Sequence, residues 1–406
     1  MELFTTIEKH GQGHLIKHYE SLPKEAQVDF LNQLKSIDFE LIDRLYGQLV
    51  TGQQATDHER SLSPLLPDIL TDADRITFEQ LGIKVIAAGQ VAALLLAGGQ
   101  GSRLGHEGPK GTFDIGLASG ASLFQLHIDS LKRVEKTTGT YIDFYIMTSD
   151  TNHDETVAYF VQNGYFGYPR EKVTFFRQGM LPAVDFSGRI IIESEGKISF
   201  SPDGNGGCFV ALGKSGVMRS ILDKGIKWLF LFGIDNAITD VCDPVFVGYT
   251  EASMKQSASK VVKKISADEK VGVLCYDHLR PSIVEYSEMS EQDTRLTDEK
   301  GELVYSNANI LNHLIRTDVL NDYLTEPMQY HLAVKKIKHI TDSGVSVTPD
   351  KSNGYKYESF IFDIFPFFTD MGALQVSREL EFAPVKNKEG ADSPQTAKAL
   401  YMKKYK

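Results

Sequence analysis

An apolar run that empties into a glycine-rich turn constrains this chain more than any other stretch: Leu94-Leu-Leu-Ala-Gly-Gly-Gln-Gly-Ser-Arg-Leu-Gly-His-Glu-Gly-Pro-Lys-Gly111. Such a run reads as a buried strand delivering its carboxyl end to a ligand. Gly98, Gly99 and Gly101 remove the Cβ atoms that would hold main chain away from a nucleotide, and Arg103 and Lys110 can neutralise phosphate oxygens. Spacing excludes two glycine loops. A Walker A loop needs Gly before its Lys and Ser or Thr after it, whereas Lys110 lies between Pro109 and Gly111. A dinucleotide fingerprint needs a glycine where this chain has Leu104, and no ribose-binding acid follows at the required distance.

The same strand-then-helix alternation continues along the chain. Val91–Ala97, Leu123–Glu135, Tyr141–Met147, Thr156–Asn163, Val173–Phe176 and Trp228–Phe232 predict an α/β sheet with crossover helices. Ligands collect at the carboxyl ends of such strands, where the glycine loop, Thr148-Ser149 and Asp235 all fall. Residues 1–90 read as a small N-terminal helical region, with helices over 23–34 and 39–46, residues 91–386 as the α/β domain, and residues 387–406 as a short tail or helix.

Composition narrows the class. A net charge of -11 argues against nucleic-acid or anionic-membrane partners, so cations that handle phosphate must be concentrated locally. No apolar run approaches the roughly 20 residues of a membrane span. The sequence after Met1 does not read as a signal peptide, and Cys208, Cys242 and Cys275 are too widely spaced for a zinc knuckle. The expectation is a cytoplasmic enzyme with reduced thiols.

Further candidates sit at strand ends and glycine turns. Asp235, at the end of Lys227-Trp-Leu-Phe-Leu-Phe-Gly-Ile-Asp-Asn236, can hold Mg²⁺ against nucleotide phosphates, and a strand-ending Asx turn is the competing reading. Ser201-Pro-Asp-Gly-Asn-Gly-Gly207 lets main chain approach a base or sugar, with Asn205 as donor and acceptor, or is simply a loop. Val284-Glu-Tyr-Ser-Glu288 alternates like a strand and turns Glu285 away from Val284, toward sugar hydroxyls or toward solvent. His10, His14 and His18 recur at helical spacing, and the expectation is a solvated face rather than a metal site. The cluster Phe360-Ile-Phe-Asp-Ile-Phe-Pro-Phe-Phe368 reads as core, and Asp363 within it must find a hydrogen bond or a metal.

Taken together and in order, Leu96-Ala-Gly-Gly-Gln-Gly-Ser-Arg-Leu-Gly105, Pro109-Lys-Gly111, Gln178-Gly-Met-Leu-Pro182, Pro202-Asp-Gly-Asn-Gly-Gly207, Ile234-Asp-Asn236, Val284-Glu-Tyr-Ser-Glu288 and Phe382-Ala-Pro-Val-Lys-Asn387 resemble the UDP-sugar pyrophosphorylases. The Gln of Ala-Gly-Gly-Gln-Gly resembles the UDP-N-acetylglucosamine branch more than the UDP-glucose branch, which reads Asn-Gly-Gly-Leu-Gly. The chain reads Ser306-Asn-Ala-Asn309 where eukaryotic members read Asn-Ala-Gly-Asn.

The resemblance implies a Rossmann-like, nucleotide-diphospho-sugar transferase type of mixed sheet flanked by helices. It implies a Mg²⁺-dependent uridylyltransferase with UTP and a sugar 1-phosphate as substrates. By match to the family's motifs, Arg103 and Lys110 would stabilise leaving pyrophosphate, Lys386 would hold nucleotide phosphates, and Asp235 would bind the metal. Gly98, Gly99, Gln178 and Gly204 would grip the uridine, Asn205, Glu285 and Asn309 would face the sugar, and Phe360 and Phe362 would line its acyl side. Asp363 is a second candidate metal ligand on its chemistry alone. Glucose or galactose 1-phosphate competes with N-acetylglucosamine 1-phosphate as substrate. A UDP-sugar-using glycosyltransferase is disfavoured because Ile234-Asp-Asn-Ala237 lacks Asp-x-Asp, and a sensor without turnover would not need Lys110, Asp235 and Lys386.

Overall fold

A computed structural model of the chain describes residues 2–50, 60–341 and 343–405. Contacts group the chain into two units that interleave along the sequence. The larger comprises Arg60–Gln178, Cys208–Pro327 and Phe362–Lys406, and the smaller Met1–Glu59, Gly179–Gly207 and Met328–Ile361. The sequence reading divides the chain into contiguous pieces at 90 and 386; the contacts group distant segments instead.

The larger unit is built on a ten-stranded mixed sheet. Val91–Leu96, Asp143–Thr148, Val173–Arg177 and Trp228–Gly233 are parallel, and in space they run 173–177, 143–148, 91–96, 228–233. The chain therefore winds outward in one direction from Val91–Leu96 and then returns to its other side. That reversal is a topological switch point, the crevice where α/β sheets bind ligands. Both strands flanking it are buried at every residue, which is why each reads as an unbroken apolar run rather than an alternating one. Asn307–Arg316 continues the sheet antiparallel to Trp228–Gly233, and Ser257–Lys263 pairs with it in turn.

Local chemistry sets the helices that cover this sheet. Ser122 caps Leu123–Thr138, its hydroxyl accepting from Gln125 N, and Gly139 ends the helix in the left-handed region at φ 72°. The Asp72–Ala87 helix opens with a reciprocal Thr71–Asp74 capping box. It crosses Pro244–Ser253 backbone to backbone: a Cβ on Gly82 would lie 1.8 Å from Pro244 O, and one on Gly248 the same distance from Phe78 O. The C-terminal residues form a helix, Pro394–Lys404, tied down by Lys404 Nζ donating to Asp240 at 2.7 Å and by Arg133 Nη2 donating to the Tyr405 hydroxyl at 2.6 Å.

The smaller unit packs the helices Lys24–Ser36 and Phe39–Val50 on a sheet made of His331–Lys335, Gly354–Glu358 and Val184–Asp185. Phe30, Leu34, Ile42, Val184 and Tyr357 form its core. Here the histidine expectation is corrected. Gly11, at φ 69°, breaks the helix, so His10 lies outside Gly13–Ser21 and the three rings share no single helical face. None is a solvated side chain: His10 meets Asp43, His14 Nε2 donates to Ile190 O at 2.8 Å, and His18 Nε2 accepts from Gly196 N at 3.1 Å.

Candidate active site

The register of the parallel strands places the site. Leu96 is paired with Gly233, and Ile234 N donates to Leu96 O at 3.2 Å, so the glycine loop and Asp235 leave the sheet side by side at the switch point. The loop then doubles back: Gly101 N donates to Gly108 O at 3.0 Å, and Lys110 N to Gly99 O at 3.1 Å. This return brings Lys110, fourteen residues on from the strand end at Leu96, back beside Gly99. The loop glycines have different duties. A Cβ on Gly98 would stand 2.3 Å from Gln178 Oε1, and one on Gly111 2.2 Å from the Phe124 ring, whereas one on Gly99 would meet nothing within 4 Å. Gly98 is thus shaped by Gln178, and Gly99 presents open space.

Gln178 is 8% exposed and is fixed by its own N donating to Thr148 O at 2.8 Å. Asn152, which the sequence reading passed over, closes the loop from behind by donating from Nδ2 to Ala97 O at 2.9 Å and to Gly99 O at 3.3 Å. Its Oδ1 accepts from Ser149 N at 2.8 Å, so one amide ties the end of Asp143–Thr148 to the loop.

Lys110 carries the electrostatic signature of the site. Burial lowers its ammonium pKa below the ordinary lysine value; Asp235 opposes that shift, and the like charges of Lys386 and Arg103 reinforce it. Three cations therefore converge with one carboxylate, and among the described residues the Lys110 ammonium has no ion-pair partner. Such a cluster is repelled by itself and stabilised by an anion. Asp235 folds back over Gly233, where a Cβ would sit 2.9 Å from its Oδ1 and 2.7 Å from Leu311.

Glu285 and Asn309 adjoin through Gly272. Asn309 N donates to Gly272 O at 2.9 Å, and a Cβ on Gly272 would lie 2.9 Å from Glu285 Oε1. Burial raises the Glu285 pKa, Glu288 adds to the shift and Lys386 opposes it. The expected strand through Val284–Glu288 is corrected: it ends at Val284, and Glu285 opens a turn in which Glu288 N donates to Glu285 O. Asn309 sits beside a bulge where Leu311 holds φ 56°, its N donating to Asn309 Oδ1 at 2.8 Å. A left-handed leucine costs about 1–3 kcal/mol and marks a position that the surroundings impose. Within the departing segment, Asn307 donates to Leu65 O and Ala308 is buried with Val262, Ile310 and Phe382, so of 307–309 only Asn309 is left partly exposed.

In the smaller unit, Gly204 holds φ 87° and its missing Cβ makes room for Ser359 O, 2.1 Å from where the Cβ would stand. Asn205 Oδ1 accepts from Ile361 N at 3.1 Å. Gly204 and Gly206 thus serve close backbone packing on Ser359 and Phe360, and Gly207 makes room for the Asp203 carboxylate. Phe360 faces His331 with ring centroids 4.8 Å apart and belongs to the smaller unit, whereas Phe362 and Asp363 belong to the larger. The aromatic cluster is core at Ile361, Ile364, Phe365 and Phe368, while Phe360, Phe362 and Asp363 are only half-buried.

A family model described as UTP--glucose-1-phosphate uridylyltransferase matches residues 39–395. The chain belongs to this family. The probable UDP-N-acetylglucosamine pyrophosphorylase of Dictyostelium discoideum is 37% identical over 95% of this chain and 84% of its own length. The UDP-N-acetylglucosamine pyrophosphorylase of Saccharomyces cerevisiae is 36% identical over 97% and 87%. The crystal structure of the uridine diphosphate N-acetylglucosamine pyrophosphorylase from Trypanosoma brucei superposes with a TM-score of 0.84 at 30% identity, covering 98% of this chain and 83% of that one. Membership in the uridylyltransferase family accords with a switch point that offers cations and a carboxylate. No helix among the described residues is long and apolar enough to cross a membrane.

Proposed function

We propose that this chain is a cytoplasmic, Mg²⁺-dependent uridylyltransferase that joins UTP to N-acetylglucosamine 1-phosphate, giving the UDP-sugar and pyrophosphate. The observation that carries the reading is the convergence of Lys110, Arg103 and Lys386 with Asp235 at the switch point, beside the open face of Gly99. A phosphate oxygen of the sugar substrate attacks the α-phosphorus of UTP, the bond from that phosphorus to the bridging oxygen of the β-phosphate breaks, and pyrophosphate departs with the electron pair. Charge accumulates on the departing oxygens, where preorganised cations act most strongly. Arg103 and Lys110 meet that charge, and Lys386 holds the nucleotide phosphates.

Gln178, held over Gly98, reads the uracil edge, and Gly98, Gly99 and Gly204 admit the uridine. Glu285 and Asn309 accept and donate to sugar hydroxyls, with Asn205, Phe360 and Phe362 assigned to the sugar by their match to the family's motifs. Among the described residues no group of three or more His, Cys, Asp or Glu could hold a metal by itself. That donor set fits Mg²⁺, which is commonly bound by one or two carboxylates together with substrate phosphates. Asp235 would hold it, with Asp363 as a second candidate, and when bound it would supply charge to the phosphate oxygens. The names of the relatives support the N-acetylated sugar, and the family description supports glucose 1-phosphate as the second reading.

Pyrophosphate release with UTP and Mg²⁺ across a panel of sugar 1-phosphates tests the reading. Fastest release with N-acetylglucosamine 1-phosphate, lost in Lys110→Ala, is expected. Preference for glucose or galactose 1-phosphate would replace the sugar and keep the reaction, and no release with any sugar would sink both.

A further inference from the structure

Lys386 lies on a segment, 382–387, that has no regular secondary structure, yet its ammonium must stay near enough to Lys110 for the two charges to act on each other. One side chain bonds to this segment's main chain at its start, on either side of Phe382. Asn236, 3% exposed, donates from Nδ2 to Glu381 O at 2.7 Å and accepts at Oδ1 from Ala383 N at 2.8 Å. Its amide thus reads backbone on both sides of Phe382, as a neighbouring strand would. Main chain completes the match: Ala237 N donates to Ala383 O at 3.1 Å and Val385 N to Asp235 O at 2.9 Å. The residue that follows the candidate metal carboxylate therefore grips the segment that ends in the candidate phosphate lysine.

The far end of this clamp is anchored by a buried ion pair. Lys260, fully buried on Ser257–Lys263, donates to Glu381 Oε1 at 2.9 Å and pairs with Asp243 Oδ2 at 2.8 Å. Asp243 also caps Pro244–Ser253 through Val245 N. Glu381 is thereby fixed in the sheet from its side chain while its carbonyl receives Asn236. On the other side, Lys386 N and Asn387 N both donate to Asp392 O, so the lysine sits between two fixed points.

We propose that Asn236 is a positioning residue for Lys386, with the Lys260–Glu381 pair as its anchor, so that the metal-binding turn and the phosphate-binding lysine move as one body. The inference rests on the uridylyltransferase reading above and adds a residue to it. An asparagine is required because its amide presents a donor and an acceptor at once; aspartate would set a carboxylate oxygen against Glu381 O.

The test is a double-mutant cycle between Asn236→Ala and Lys386→Ala, read in steady-state kinetics with UTP and the best sugar 1-phosphate. Asn236→Ala alone is expected to lower kcat/KM for UTP by roughly 10- to 100-fold, as a misplacement of about 1 Å does, and to leave KM for the sugar 1-phosphate within about twofold. In the Lys386→Ala background the same substitution should cost almost nothing, because the group it positions is gone. Full additivity, or equal loss for both substrates, would overturn the proposal while wild-type turnover kept the reaction itself intact. A wild type without turnover would overturn both. Should Asn236→Ala not fold, Lys260→Met/Glu381→Leu, which replaces the buried pair by apolar side chains of similar size, should show the same split, and wild-type kinetics in that variant would reject the anchor.

Discussion

Two lysines in the larger unit, Lys260 fully buried and Lys110 half-buried, show how the same side chain can be committed to folding or kept for a ligand. Burial alone would lower the Lys260 ammonium pKa, but Asp243, Glu381 and Asp240 override that and hold it well above the ordinary value. Lys110 is desolvated too, yet it faces one carboxylate and two like charges, and its pKa is lowered. The first lysine is satisfied by the protein, whereas the second is left for an anion to satisfy. Charged neighbours, together with depth, distinguish a cation that the fold satisfies from one whose surroundings favour an added anion.

The contrast can be broken most severely at Lys260. Lys260→Met leaves Asp243 and Glu381 facing each other without their cation, and a stability loss of about 3–5 kcal/mol is expected in denaturant unfolding. A loss below about 1 kcal/mol would mean that Lys260 is not committed to the fold. Lys110→Ala should do the opposite, lowering kcat/KM by roughly 10²- to 10³-fold with the unfolding midpoint unchanged. An equal loss of stability would erase the distinction.

A pH profile sharpens the comparison further. In the proposed role Lys110 assists only as the ammonium, and its lowered pKa means that this form is lost as pH rises through a value below that of a free lysine. The alkaline limb of kcat/KM should therefore begin below the ordinary lysine value and move to higher pH in Lys110→Arg, whose guanidinium does not deprotonate. An unmoved limb would assign it to another group. The smallest effect is expected in the loop itself. Gly98→Ala displaces Gln178 Oε1 and should raise KM for UTP by about tenfold, while kcat changes less. Unchanged KM would separate Gln178 from the uracil.

What was legible in the sequence follows from how local each cause is. The strand runs at 91–96 and 228–233 were readable because strands buried on both faces are apolar throughout, and the loop after Leu96 because its glycines and cations are contiguous. Asp235 was readable as the residue that ends such a strand. Asn236 was adjacent and unread, since its partners at 381 and 383 are brought to it only by the return of the chain to the sheet. The end of the strand at Val284 was missed for a related reason: alternation continues through Glu288, but the register to 273–277 stops at Val284. The spacing of the histidines misleads because it runs across Gly11, whose positive φ separates Glu2–Lys9 from Gly13–Ser21. Interleaved units are the least legible of all, because no composition shift marks where a chain leaves one core for another.

That interleaving also bears on how the polypeptide emerges during synthesis. The helices Lys24–Ser36 and Phe39–Val50 pack against Tyr357, and Val184–Asp185 pairs with Gly354–Glu358. These two helices therefore leave the ribosome some three hundred residues before their sheet is complete, with Phe30 and Leu34 uncovered meanwhile. Nascent chains stalled between 207 and 354 would carry these helices with their apolar faces exposed, the kind of surface that holding chaperones recognise.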